Sequence, residues 1–431
     1  MVLGERNFRV FYVGYATSLL GSAMSRIALT FAVLDAGGSP ADLGFVFAAS
    51  VVPQVLIMLP GGVLADRLGR RRMMLVTDAG RVAVQGTLAA ALFAGRPPLW
   101  LFMLLSALLA TGEGCFNPAL AGLRVEIASP ARLPDANALI GVAGSAAAVL
   151  GPALAGGLIA VTSPAVVIAV DAVSYAVSVL ALAALRITAA NAPTQSPWRD
   201  LADGWAIFRS KAWLAAVTLQ FALFNLFTWA PYLLLGPILA KEYLGGAGAW
   251  GAIMATYAAG SVLAGLALLG RRVRRPLVVC TVGTFGYPVP CLLLALHAPV
   301  YLVAMGALAA GAGSAVGGAF RANALQQQVP PQMLGRINAL TMTGSFALGS
   351  AGYALIGPLA ELVGPATLLG VAAGYGALSS AVMLALPAIR AVRWQDPGPA
   401  RHDLARADHD PMPPVTEPVP QPVPQPTPPR A

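Results

Sequence analysis

From residue 10 to residue 387 the chain keeps returning to apolar runs of about twenty residues almost free of charge, the length a helix needs to cross a bilayer. Twelve can be marked: 10–34, 41–64, 73–95, 98–121, 137–161, 164–186, 213–240, 247–270, 276–297, 299–321, 338–361 and 365–387. One such run admits a buried helix in a soluble core, but twelve in succession leave lipid as the only solvent that suits them. The composition agrees, because charged residues make up 10% of the chain where a soluble domain carries about a quarter. Lipid offers no partner to a free N–H or C=O, so each crossing segment must satisfy its backbone internally as a helix. The expected fold class is all-α and integral to the membrane. The amino terminus has the outline of a secretory signal (Glu5, Arg6, Arg9, then apolar residues). Its run is too long, contains Arg26 and lacks a clear cleavage site, so it is read as the first span.

The gaps between runs alternate in charge. Of the 27 basic residues, all but Arg96, Lys241, Arg26 and Arg81 fall on one side, and positive charge in short loops resists translocation. That side is expected to be cytoplasmic, with both termini on it and the chain multi-pass in the cell membrane. The net charge of +9 is thus a topology signal; no aromatic-studded basic face points to a nucleic-acid partner. The densest basic stretch, around Asp66, Arg67, Gly69, Arg70, Arg71 and Arg72, is a short polar hairpin between two spans.

The chain echoes itself after about 200 residues. Ala136-Asn137-Ala138-Leu139 and Gly151-Pro152 return as Ile337-Asn338-Ala339-Leu340 and Gly357-Pro358, and the arginine hairpin has a degraded echo in residues 270–275. Such a parallel repeat implies two pseudo-symmetric six-helix bundles, 1–186 and 213–390, related by an axis along the membrane normal. Residues 187–212 read as a cytoplasmic linker. Leu201, Trp205 and Phe208 share one helical face there, which suits either a membrane-surface helix or a linker packed on the bundle ends. Residues 391–431 are polar and then proline-rich, with too little apolar surface to fold, and read as a disordered tail.

Charged groups inside spans are costly and usually matter. Glu113, flanked by Gly112 and Gly114 in the fourth span, is either a proton carrier or a static acid that stabilises helix packing. Arg26 in the first span and Asp171 in the sixth fall at equal depth, which predicts a buried pair. A proton switch at Asp171, or capture of a substrate anion by Arg26, would require that pair to open. Asp78 and Arg81, three residues apart on one helix, are expected to neutralise each other and to support the arginine hairpin. The second half has no deep carboxylate. Its polar residues Gln220, Asn225, Trp229 and Tyr257, with Asn117 of the first half, either line a substrate cavity or serve helix packing.

Other chemistries find no support in the residues. Cys115, Cys280 and Cys291 lie in apolar runs at no metal-ligand spacing, the three histidines are scattered, and no P-loop occurs. No metal, cofactor or catalytic residue is expected, and the chain is read as a monomer that is not an enzyme.

The string Gly62-x-x-x-Asp66-Arg67-x-Gly69-Arg70-Arg71 resembles the loop between the second and third helices of the major facilitator superfamily. Arg6-Asn7-Phe8-Arg9, Phe116-Asn117-Pro118-Ala119, Ala136-Asn137-Ala138-Leu139 and Gly335-Arg336-Ile337-Asn338-Ala339-Leu340 are similar to its macrolide-efflux and siderophore-exporter branch. The resemblance implies a secondary transporter in which two halves rock about a central site and proton entry drives small hydrophobic or amphiphilic compounds outward. It further implies that Asp66, Arg67 and Arg70 make and break contacts across the halves at the cytoplasmic gate. One departure is Gly151-Pro152-Ala153-Leu154-Ala155-Gly156-Gly157, which has one residue more than the antiporter signature of the fifth helix. Uptake of a defined metabolite, or a non-transporting scaffold using the tail, are the other functions the sequence admits.

Overall fold

The computed structural model describes residues 2–129, 132–185, 212–268, 273–328 and 334–391. The linker and the tail expected from sequence lie outside these residues. Twelve long helical elements follow one another: α1 (Arg6–Asp35), α2 (Pro40–Leu68), α3 (Arg70–Ala94), α4 (Leu99–Ile127), α5 (Leu133–Val161), α6 (Pro164–Ala183), a composite α7 from Ala212 to Leu244, α8 (Ala247–Ala267), a broken α9, α10 (Val300–Gln328), α11 (Leu334–Val363) and α12 (Pro365–Ala385). Among the described residues there is no strand, and ten of these helices are long and apolar enough to span a membrane. The exceptions are α3, which carries four arginines, one of them paired with Asp78, and α11, of which Ala351–Val363 forms a shorter apolar stretch.

Local chemistry sets several boundaries. Ser39 and Asp42 form a reciprocal cap at the start of α2, with Pro40 in the first turn where a missing N–H costs nothing. The expected polar hairpin is much tighter than the sequence suggested: α2 runs to Leu68, α3 starts at Arg70, and Gly69 alone turns the chain at φ 87°. Two spans are less regular than predicted. In α7, Asn225–Trp229 and Ala240–Leu244 are π-helical, each a few residues from a proline (Pro231, Pro237) that cannot donate within the helix. The ninth span splits into Pro276–Thr284 and Pro288–Ala295, where Pro288 and Pro290 withhold two donors.

The expected pseudo-symmetry is present in the packing. In the first half α1 lies against α5 and α6, α2 against α4, and α3 against α4 and α6. In the second half the equivalent set recurs: α7 against α11 and α12, α8 against α10, and α9 against α10 and α12. The register of the echo needs one correction. Gly151 packs on Ala23 of α1, and the residue that packs on α7 in the same way, against Ala230, is Gly352 rather than Gly357. Gly357 instead answers Gly156, and both sit where the halves meet.

Among the described residues three cores organise the body. One joins both halves and is built from the ends of the helices remote from the arginine turn, including Phe31, Leu43, Leu88, Phe102, Leu235, Trp250, Leu294 and Leu369. At the end that carries Arg70 to Arg72, here the basic end, the halves have separate cores. One is centred on Phe8, Phe11, Met74, Phe116 and Leu123, the other on Trp213, Leu214, Leu277 and Met383. The halves therefore interlock at the distal end and part toward the basic end.

Candidate functional site

The distal closure is made by two helix crossings. At α5–α8, a Cβ on Gly156 would fall 2.7 Å from the Ala247 carbonyl oxygen, and one on Gly251 would fall 2.5 Å from that of Pro152. At α2–α11, a Cβ on Gly357 would fall 2.5 Å from the Pro40 carbonyl oxygen, and Gly44 faces Tyr353 and Gly357 just as tightly. Backbones this close exclude any side chain. Phe47 and Tyr353 meet edge to face across the same crossing at 5.3 Å. At the rim Lys241 Nζ pairs with Asp35 Oδ1 at 2.7 Å, and the Ala41 N–H donates to Glu361 Oε1 at 3.2 Å.

Beneath this closure, between the halves, lies a cavity of about 810 Å³. Its first-half wall carries the charge: Arg26, Glu113 and Asp171. Its second-half wall is aromatic and apolar, with Trp229, Trp250, Tyr257 and Tyr353. The π-helical turn Asn225–Trp229 adds a residue to α7, which rotates Trp229 relative to the turns before it. Trp229 then packs at 5.5–5.8 Å among Tyr232, Tyr257 and Tyr287, tilted against the first two and edge to face with the third, and the hydroxyls of Tyr257 and Tyr287 are 3.2 Å apart.

The acids are held differently. Glu113 sits at the midpoint of α4, since that helix continues beyond the boundary expected from sequence, and accepts from Gln54 Nε2 at 3.4 Å. Asp171 has no exposed surface; Gln85 Nε2 donates to it at 2.5 Å and also to Ser25 Oγ at 2.7 Å, while Ser174 Oγ adds a contact at 3.2 Å. The expected Arg26–Asp171 pair is not formed. Gly21 and Ser25, one turn apart on α1, face Asp171 and its partner Gln85, and Arg26 is the next residue round the helix, about 100° away. Equal depth brought the two to one level; azimuth separated them. Arg26 is exposed to the cavity and has no hydrogen-bond or ion-pair partner among the described residues.

Asp78 and Arg81 pair at 3.0 Å, and their described contacts lie with α4 and α6 rather than with the arginine turn. Both are buried inside the first half: Asp78 accepts from Ser178 Oγ of α6 at 2.7 Å, and the Arg81 guanidinium lies over the rings of Phe116 and Tyr175 at 4.8 and 5.3 Å. The turn itself is tied down by Arg70 and Arg71. Arg70 Nη1 pairs with Glu126 Oε1 at 2.9 Å, and Arg71 donates to the Leu182 and Ala183 carbonyls at 2.8 and 2.6 Å, closing the end of α6. These contacts stay within the first half. Arg67 is exposed and has no bond across the gap among the described residues, whereas the surroundings of Gly62 and the side chain of Asp66 lie outside what is described.

Of the polar residues considered for the cavity, Trp229 and Tyr257 line it. Asn117 stands exposed on α4 outside this lining, half-buried Gln220 is likewise outside it, and buried Asn225 donates to the Phe221 carbonyl of its own helix at 2.8 Å. Sequence reasoning weighed ionisable groups and so passed over Gln54 and Gln85, the amides that engage both acids. A search for any amide inside an apolar span would have found them.

Comparison with known proteins agrees with this architecture. The family profile of the Major Facilitator Superfamily matches residues 11–352. The multidrug efflux pump Tap of Mycobacterium tuberculosis (strain ATCC 25618 / H37Rv) is 29% identical over 410 residues, covering 88% of this chain and 94% of its own length. Macrolide efflux protein A of Streptococcus pyogenes is 23% identical over 358 residues, covering 78% and 84%. Among solved structures, the nucleoside transporter NupG superposes with a TM-score of 0.72 at 13% identity, covering 88% of this chain and 98% of that one. A bacterial homologue of the iron transporter ferroportin, in an inward-facing state, gives 0.66 at 16% identity, covering 88% and 97%.

Proposed function

Because this chain belongs to the Major Facilitator Superfamily, we propose that it exports small amphiphilic compounds across the cell membrane by alternating access, coupled to proton entry. One observation carries the reading: among the described residues the halves share a core at the distal end, have separate cores at the basic end, and enclose between them a cavity charged on one wall and aromatic on the other. With the basic end cytoplasmic, as positive loops require, this conformation is inward-facing and loads from the cell interior. Export rather than uptake is favoured by the two efflux pumps among its relatives.

In this reading residues 1–186 and 213–390 are the moving bundles, 187–212 the tether and 391–431 a cytoplasmic extension; one chain suffices. The arginine turn belongs to the inner gate. Glu113 is the proton carrier: it lines the cavity at mid-membrane, where cavity water reaches it from one side at a time. Asp171, enclosed by Gln85 and Ser174, is the second acid of the same half.

The test is flux in everted membrane vesicles energised by a proton gradient, with a fluorescent amphiphile as cargo. Native protein accumulates it, and Glu113→Gln binds the cargo but loses gradient-driven transport. Full gradient-driven transport by Glu113→Gln removes the coupling role, and absence of any proton-dependent flux in the native protein removes the antiport mechanism.

A further inference from the structure

Among the described residues one cation lines the cavity, and none of their side chains answers it. Arg26 lines the cavity and is exposed to it, yet it is without an acceptor among the described residues. The two acids of the same wall are engaged elsewhere, Asp171 by Gln85 and Ser174 and Glu113 by Gln54. Arginine inside a span is costly and is ordinarily paired. A guanidinium presents five N–H donors in a planar fork that fits a carboxylate, phosphate or sulfonate.

Placement adds direction. By the repeat that matches Ala23 to Ala230, Arg26 corresponds to Leu233, one helical turn distal to Trp229. The cation thus sits deeper than Trp229, on the opposite wall. We propose that the substrate of this cavity is an amphiphile bearing an anionic group, which Arg26 receives at the deep end while the apolar or aromatic body lies against Trp229 and Tyr257. This rests on the transport reading above and names its substrate class.

Three probes with one aromatic body separate the possibilities: dansylglycine carries a carboxylate, dansylamide no charge and dansylcadaverine an amine. Binding to the purified full chain is read by energy transfer from the cavity tryptophans Trp229 and Trp250 to the dansyl group. The native protein is expected to bind dansylglycine at least about tenfold more tightly than dansylamide, the value of one charge-assisted hydrogen bond, and dansylcadaverine least. Arg26→Gln should bring dansylglycine down to the affinity of dansylamide and leave dansylamide within about twofold, while Arg26→Lys keeps part of the preference.

Equal affinity for dansylglycine and dansylamide in the native protein, or a preference for dansylcadaverine, overturns the proposal without recourse to any variant. So does a uniform loss of all three probes in Arg26→Gln, the mark of a residue that holds the fold rather than the ligand. Dansylamide that binds the native protein as tightly as dansylglycine removes the anion assignment and leaves the cavity reading standing. Failure of all three probes to bind the native protein removes both.

Discussion

Replacing Gly156 by alanine should open the distal end. The alanine Cβ would fall 2.7 Å from the Ala247 carbonyl oxygen and 3.1 Å from the Gly251 Cα, and both obstacles are backbone, which cannot swing aside like a side-chain tip. Relief requires α5 and α8 to separate, and these helices belong to different halves. Overpacking of this kind costs about 1–3 kcal/mol, which here penalises only the conformation closed at the distal end and so raises the opposite population roughly 5–150-fold. The control is Gly157→Ala: a Cβ there meets nothing within 4 Å, and both variants share the same gain in helix propensity. Spin labels at exposed Thr162 and Glu242 report the distal end, and labels at exposed Leu68 and Arg274 report the basic end, in a background lacking Cys115, Cys280 and Cys291. Pulsed electron–electron distances should lengthen at the distal pair and shorten at the basic pair in Gly156→Ala alone. Indistinguishable distributions for the two variants would show that the crossing is not what holds the halves together.

Two further outcomes follow from the polar contacts. Asp78→Asn leaves Arg81 charged and buried without its acid, which should lower stability by about 3–5 kcal/mol in thermal unfolding of the purified protein. Adding Arg81→Gln should recover part of the loss, and strict additivity would argue against a coupled pair. Arg71→Ala removes two bonds to the end of α6 and should cost only about 1 kcal/mol, because the arginine is partly exposed. Its expected signature is faster amide exchange confined to residues 180–185, and exchange unchanged there would mean that the cap contributes nothing.

What the sequence disclosed was governed by lipid. Twelve apolar runs could hardly be misread, because every crossing segment must close its own hydrogen bonds. The same demand hid the rest. A helix apolar on all sides, such as α1, marks no face, so the depth of Arg26 could be counted along the chain but its azimuth could not. Small residues such as Gly14, Gly21 and Ser25, on the side packed against α6 and Gln85, betrayed which way α1 turns. The break in α9 was written in Pro288 and Pro290 and was missed because its two short pieces add up to the length of one span. Asp78 and Arg81 were rightly paired from their spacing; their contacts with Ser178, Phe116 and Tyr175 belong to neighbouring helices and leave no trace in local sequence.

The two halves keep one packing scheme but divide the work. Every charge on the cavity wall comes from the first half, while the second contributes aromatic surface and the irregular helices. Buried charge needs rigid surroundings, which the regular α3, α4 and α6 supply as hydrogen bonds to Asp78 and Asp171 and as the Asp78 carboxylate and two aromatic rings around Arg81. An aromatic wall makes no such demand, since stacking tolerates small displacements, and the broken helices α7 and α9 meet there through Trp229 and Tyr287. If the second half is the one that flexes within itself, labels placed across α7 and α9 should broaden in distance when cargo binds. Labels across α3 and α6 should stay sharp, and the opposite pattern would reverse the division.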